Sequence, residues 1–96
     1  MTTLRIQSDS GFDRQLQRLL KKNYSKQLYL NALYAIAYHK REELQKLKDH
    51  ALTGNRRGLR ELHIDKKDWL LVYQIDQENH ILNLVGIGTH QTLFGK

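Results

Sequence analysis

The chain has 96 residues, with 16 lysines and arginines against 10 acidic residues, a net charge of +6, and neither cysteine nor proline. That length bounds it to one domain over residues 1–96 with a single modest core. Without cysteine there are no disulfides and no thiolate zinc sites, and no apolar run is long enough to span a bilayer or act as a signal peptide, so the expected compartment is the cytoplasm, with no membrane contact.

The positive excess is uneven. Residues 1–60 carry 13 basic and 5 acidic side chains, whereas residues 61–96 carry 3 and 5. One basic face, suited to a polyanion, is expected.

Residues 4–8 alternate apolar and polar and predict a first strand. Ser10 then reads as the cap of a helix with Asp13 in its first turn. Phe12, Leu16, Leu19 and Leu20 recur on one helical face, and Arg14, Arg18, Lys21 and Lys22 make the other side cationic. After a turn over residues 23–26, Leu30, Leu33, Tyr34, Ala37 and Tyr38 form an i, i+3, i+4, i+7, i+8 stripe that predicts the buried face of a second helix. No proline or glycine falls between Phe12 and Leu52, which favours two helices joined by a tight turn.

Gly54, Asn55 and Gly58 end the helical pattern in a basic loop with Arg56 and Arg57. Residues 59–64, 69–75 and 81–85 are then β-branched, aromatic or alternating, with a hairpin loop over 76–80. The expected fold class is α+β: two N-terminal helices on a mostly antiparallel sheet, in the order β-α-α-β-β-β, with a short helical turn over 89–94.

Three of the five histidines sit at element ends, where side chains reach solvent. His50 ends the second helical stretch, and His90 follows the last strand. Alternation puts His63 with Leu59 and Glu61 on one side of its strand, opposite Arg60, Leu62 and Ile64. Imidazoles in a small basic protein suit proton transfer on a polyanion near neutral pH. His39 and His80 read as surface residues. No metal or cofactor is expected, because these histidines come with no close-spaced carboxylate pair.

The segments Lys-Asp-His-Ala-Leu-Thr-Gly-Asn (48–55), Arg-Glu-Leu-His-Ile (60–64) followed by Asp-Trp-Leu-Leu-Val-Tyr (68–73), and Gly-Thr-His (88–90) with Leu-Phe-Gly (93–95) resemble the RelE superfamily of bacterial toxins, in particular its YafQ branch. The resemblance implies a ribosome-dependent messenger-RNA endonuclease of a type II toxin–antitoxin pair. It implies an active site of His50, His63, Asp68 and His90, with attack of a ribose 2′-OH on the neighbouring phosphate. His90 is then the expected acid, His50 or Asp68 the base, and His63 a phosphate-positioning group or a second base. Lys48, Arg56, Arg57 and Arg60 are the expected phosphate contacts. Phe94 and Trp69 are expected near a base, although Trp69 suits the core equally well.

The implied partners are messenger RNA on the ribosome, with contacts to ribosomal RNA, and a DinJ- or RelB-like antitoxin through which alone operator DNA is engaged. Two departures from the family pattern stand out. The spacer between His63 and Asp68 is one residue longer than usual, so Asp65 or Asp68 fills the aspartate's place. Gly86 stands where relatives carry an arginine, four positions before the final histidine. Another cation such as Arg60, Arg56 or Lys48 substitutes for it, or the protein is naturally weak, or the sequence is an attenuated variant; a glycine inside a strand has no side chain to pack, which fits a replaced arginine better than a structural bulge. A binding protein of the same fold without catalysis is the alternative.

Overall fold

The computed structural model describes residues 4–53, 58–65 and 68–95. Arg56 and Arg57, two of the expected phosphate contacts, lie outside the described residues. The elements run β1 (Arg5–Gln7), α1 (Ser10–Lys21), α2 (Lys26–Ala37), α3 (Arg41–Lys46), β2 (His50–Ala51), β3 (Arg60–His63), β4 (Leu70–Asp76), β5 (Ile81–Gly88) and α4 (His90–Phe94). The sheet order is β1-β5-β4-β3-β2; β1 pairs with β5 in parallel and the other neighbours are antiparallel. The α+β class and the predicted order therefore hold, with one small helix and one two-residue strand added between α2 and β3.

Helix starts follow local chemistry. The α1 cap is Asp9 rather than Ser10, its carboxylate accepting from the Phe12 N–H at 2.8 Å. Ser25 caps α2 through the Leu28 N–H. Helix ends were harder to read, because His39 and Lys48 take left-handed backbone conformations, at φ 50° and 57°, a role usually given to glycine or asparagine. These two residues end α2 and α3, so the stretch without glycine or proline still breaks.

One core cluster joins the helices to one sheet face: Phe12 and Leu19 of α1, Tyr29, Ala32 and Ile36 of α2, and Leu62, Leu71, Tyr73, Leu82, Leu84 and Ile87 from the sheet. The predicted α1 face is the one that packs. On α2 the predicted stripe is rotated: Tyr29, Ala32, Ala35 and Ile36 are buried, while Leu30, Tyr34 and Tyr38 stay 44%, 53% and 47% exposed. This helix is apolar on nearly every side, so periodicity admits more than one stripe. The face that carries Tyr29, Ala32 and Ile36 is the one that joins the core cluster. The displaced tyrosines pack on each other at 4.5 Å, with Lys40 over the Tyr34 ring at 5.0 Å. Among the described residues no helix is long and apolar enough to cross a membrane.

Ile36→Ala should cost about 2–5 kcal/mol of unfolding free energy, as large-to-small core changes do. Tyr34→Ala should cost only about 0.5 kcal/mol. Urea unfolding of the two variants checks the observed orientation of α2; the predicted stripe requires the reverse ranking.

Candidate active site

The sheet face turned away from the core cluster carries the predicted histidines. Strand register lines up His50, Glu61, Val72 and Gly86 across β2, β3, β4 and β5, and the adjacent row holds His63, Leu70 and Gly88. Paired residues in a register row share a face, so the histidines of β2 and β3 lie on one face although 13 positions separate them in the chain. Leu70 and Val72 form an apolar, buried floor between them and β5.

Glu61 lies at the centre of this face. It is the charged residue buried among the described ones, at 4% exposure. Its Oε1 stands 3.7 Å from His50 Nε2 and 3.9 Å from His63 Nε2. Both separations are ion-pair rather than hydrogen-bond distances, so a ring that takes up a proton at Nε2 gains this buried carboxylate as its counter-charge. The sequence placed Glu61 beside His63 by alternation, but only the cross-strand partner at His50 reveals its position between two imidazoles.

His50 is oriented from its other nitrogen. Lys48, in its left-handed conformation, presents its carbonyl to His50 Nδ1 at 2.8 Å. The Nδ1–H therefore donates to that carbonyl and leaves Nε2 facing Glu61.

The third ring comes from α4. Thr89 and Thr92 form a reciprocal capping box, the Thr89 N–H donating to Thr92 Oγ1 at 2.8 Å and the Thr92 N–H to Thr89 Oγ1 at 3.2 Å. A side chain at Gly88, where φ is +153°, would collide with the Thr92 hydroxyl, so this glycine is required for the box. His90 is the first residue of α4. Its backbone N–H and its ring Nδ1 both engage Asp68 Oδ1, at 3.0 and 2.7 Å. The His90 backbone N–H, followed by its ring, holds the Asp68 carboxyl below the ordinary carboxylate range. The His63 and His90 ring centres lie 6.1 Å apart, and Phe94 lies 6.3 Å from His90 on the far side. The structure thus brings His50, Glu61, His63, His90 and Asp68 into one chain of neighbours open to solvent, the side chains of His50, His63 and His90 being 51%, 27% and 48% exposed.

The remaining expected residues divide. Lys48 borders a cavity of about 260 Å³ together with Lys46, His63 and Asp65, which makes Lys46 a second cation at the site. Of the two aspartates, Asp68 is bound to His90, whereas Asp65 lies beside His63. Trp69 is a correction: it is fully buried, with Tyr24 edge-on at 4.9 Å, and cannot reach RNA. Its position one residue before β4 turns the indole into the core. Arg60 is a second correction: on the opposite sheet face its guanidinium grips Asp49, with Nη2 to Oδ2 at 2.7 Å, so it is no free phosphate contact.

Gly86 lies in the same row as Glu61. The ladder does shift here, Val72 pairing with Gly86 but Tyr73 with Leu84, so that Val85 is the extra residue. The expectation of no bulge is therefore corrected, although the bulged residue is Val85. Gly86 itself is not left-handed. A Cβ there would meet only the flexible end of Leu93 at 3.0 Å and Val72 Cβ at 4.0 Å. The fold does not demand glycine at this position. Arg18 of α1 borders the same cleft as Gly86 and Leu93. Among the described residues no group of three or more histidine, aspartate or glutamate side chains is arranged to hold a metal ion.

Comparison with known proteins places the chain in a family. Over 48 residues the chain is 40% identical to the mRNA interferase toxin YafQ of Escherichia coli strain K12, a match covering 50% of this chain and 49% of that protein; the chain spans about half the length of the curated relatives it matches. A metal-bound toxin from Helicobacter pylori superposes with a TM-score of 0.84 at 35% identity, over 95% of this chain and 99% of that one. The toxin of the E. coli DinJ-YafQ toxin-antitoxin complex superposes with a TM-score of 0.84 at 22% identity, over 98% and 100% of the two chains, which shows a common fold. A family model described as a bacterial toxin of type II toxin-antitoxin system, YafQ, matches residues 4–95. The chain belongs to the YafQ family of bacterial toxins.

Proposed function

We propose that this protein is a ribosome-dependent messenger-RNA endonuclease that cleaves by attack of a ribose 2′-OH. The observation that carries the reading is the convergence of His50 and His63 on Glu61, with His90 beside His63 and held by Asp68. His50 accepts the 2′-OH proton at Nε2, the nitrogen not committed to Lys48. The 2′-oxygen bonds to phosphorus, the bond to the 5′-oxygen breaks, and His90 Nε2 gives that oxygen its proton, leaving a 2′,3′-cyclic phosphate and a 5′-OH. Asp68, which already accepts two bonds from His90, holds that ring rather than acting as the base. His63 and Lys48 stand beside the phosphate, and Phe94 stands beside a base. Positioned acid and base groups each contribute about 10²- to 10⁴-fold to such a reaction.

Family membership supports a DinJ-like antitoxin as partner, since the E. coli relative is found in a DinJ-YafQ complex. Its acidic segment suits the exposed row of Arg14, Arg18, Lys21 and Lys22 on α1, and operator DNA is engaged only through that complex. Gly86 supports weakened catalysis. One preorganised donor fewer at the transition state raises the barrier by about 2.7–4 kcal/mol. The same residue is what favours the second reading, a protein that binds RNA and antitoxin without cutting.

Primer extension on ribosome-bound message decides between the two readings. New 5′ ends with the wild type, falling about 10²-fold or more in each of His50→Ala, His63→Ala and His90→Ala, are expected; translation arrest without new ends establishes the binding-only reading. Gly86→Arg is expected to raise cleavage on the order of 100-fold, and an unchanged rate removes the attenuation.

Asp68 gives a pH signature. Its folded value is depressed, so the stability it contributes is complete above the unfolded value and is lost only as pH falls through the lower folded one. A carboxyl ¹³C titration should place its midpoint below that of an aspartate in the unfolded chain; a midpoint at or above that contradicts the His90 contact.

A further inference from the structure

On the face of the sheet opposite the histidines lies a polar cluster that the proposed chemistry does not use. Asp49, with its side chain only 10% exposed, accepts from Arg60 Nε at 3.2 Å and from Arg60 Nη2 at 2.7 Å, and also takes the hydrogen bond of the Tyr73 hydroxyl. Arg60 and Tyr73 are cross-strand partners on β3 and β4, so two strands of the sheet hold one carboxylate. The bonds are strong ones, a charge-assisted fork plus a buried phenol. Asp49 holds the Arg60 guanidinium in its charged form, and burial together with Asp49 raises the Tyr73 phenol well above its ordinary range.

Asp49 sits between the two residues that set the His50 ring. Lys48 precedes it and supplies the carbonyl that accepts from His50 Nδ1; His50 follows it. The backbone leading here is closed by the end of α3, Lys48 N–H donating to the Gln45 carbonyl and Asp49 N–H to the Leu44 carbonyl, each at 3.0 Å, and beyond Asp49 the ladder is short. β2 is a two-residue edge strand, and Lys48 occupies a left-handed conformation at φ 57° that a lysine adopts only when its surroundings impose it. Successive residues of a strand point to opposite faces. Asp49 immediately precedes β2, so its anchor on the helix side bears on the strand start from which His50 faces the open side.

We propose that Asp49, clamped by Arg60 and Tyr73, is a positioning residue that sets the orientation and tautomer of His50 from the far side of the sheet. The catalytic consequence rests on the nuclease reading above, whereas the effect on the ring does not. The clamp also accounts for Arg60, whose role is to hold the carboxylate rather than RNA.

The test uses the full chain with Asp49→Asn and Tyr73→Phe. The first keeps the shape and an accepting oxygen while removing the charge; the second removes one bond and leaves the buried ring. Ring ¹⁵N spectra report the His50 tautomer, thermal melting reports the fold, and cleavage of a short message on ribosomes reports activity. The wild type is expected to show His50 protonated at Nδ1. Both variants are expected to shift His50 toward a mixture of tautomers while the His63 and His90 signals stay in place. Cleavage is expected to fall roughly 10- to 100-fold in kcat, with KM little changed, as misplacement of a reacting group does.

Folded variants that melt earlier yet keep the wild-type His50 spectrum and rate overturn the proposal, because the cluster is then only structural. Should Asp49→Asn fail to fold, Tyr73→Phe decides by the same two readouts. If the wild type cuts no message and the His50 ring still loses its tautomer in the variants, the positioning role stands and the nuclease reading falls.

Discussion

The period-two alternation of β3 ties the stability of this protein to its chemistry. Leu62 points to the helices and is fully buried in the core cluster, while Glu61 and His63 point the other way, toward His50 and His90. A one-residue slip of this strand would send a carboxylate and an imidazole into the core and leucine to the open face. The hydrophobic demand of the helix layer thus also fixes the register of the site. Burial of a single leucine contributes about 1.5–3 kcal/mol, large against the few tenths that surface contacts offer, so the core decides and the site follows.

The two halves of the site are held by different means. His50 sits at the sheet edge, where the ladder is two residues long, and side chains from β3 and β4 supplement it through Asp49. His90 starts a five-residue helix that has no buried residue of its own. It is held by the capping box behind Gly88 and by Asp68 across the loop. In both places a carboxylate adjoins the backbone that carries the imidazole. Negative charge is thereby placed behind or beside each ring, while Lys46 and Lys48 border the cavity next to His63.

Gly86 sits where the fold leaves room for a side chain. It shares a register row with Glu61, its backbone is not left-handed, and the obstacle to a side chain there is the mobile end of Leu93. Nothing in the fold calls for glycine, in contrast to Gly88 two residues later, where the Thr92 hydroxyl occupies the space of a side chain. The two glycines look alike in sequence and differ entirely in what surrounds them.

Several features were determined by the sequence alone. The alternation of residues 59–64 separated Glu61 and His63 from Leu62, the apolar spacing of Phe12, Leu16 and Leu19 located the packed face of α1, and the short segments around His50, His63 and His90 carried the family resemblance. Each is a local pattern, legible because neighbours in the chain determine it. The packed face of α2 was not legible, since a helix apolar on most sides offers several equivalent stripes and only packing against the other elements chooses one. Nor were the breaks at His39 and Lys48, where a left-handed residue closes each helix through local bonds, from the Lys40 N–H to the Ala35 carbonyl and from the Asp49 N–H to the Leu44 carbonyl, a role that these residue types do not announce. Burial of Trp69 and capture of Arg60 by Asp49 followed from partners on other elements. The pairing of His50 with Glu61 and of Asp68 with His90, the latter 22 positions apart, exists only once the strands are in register. Residue types and their local order are written in the chain, whereas distances between remote residues arise from the sheet that the core assembles.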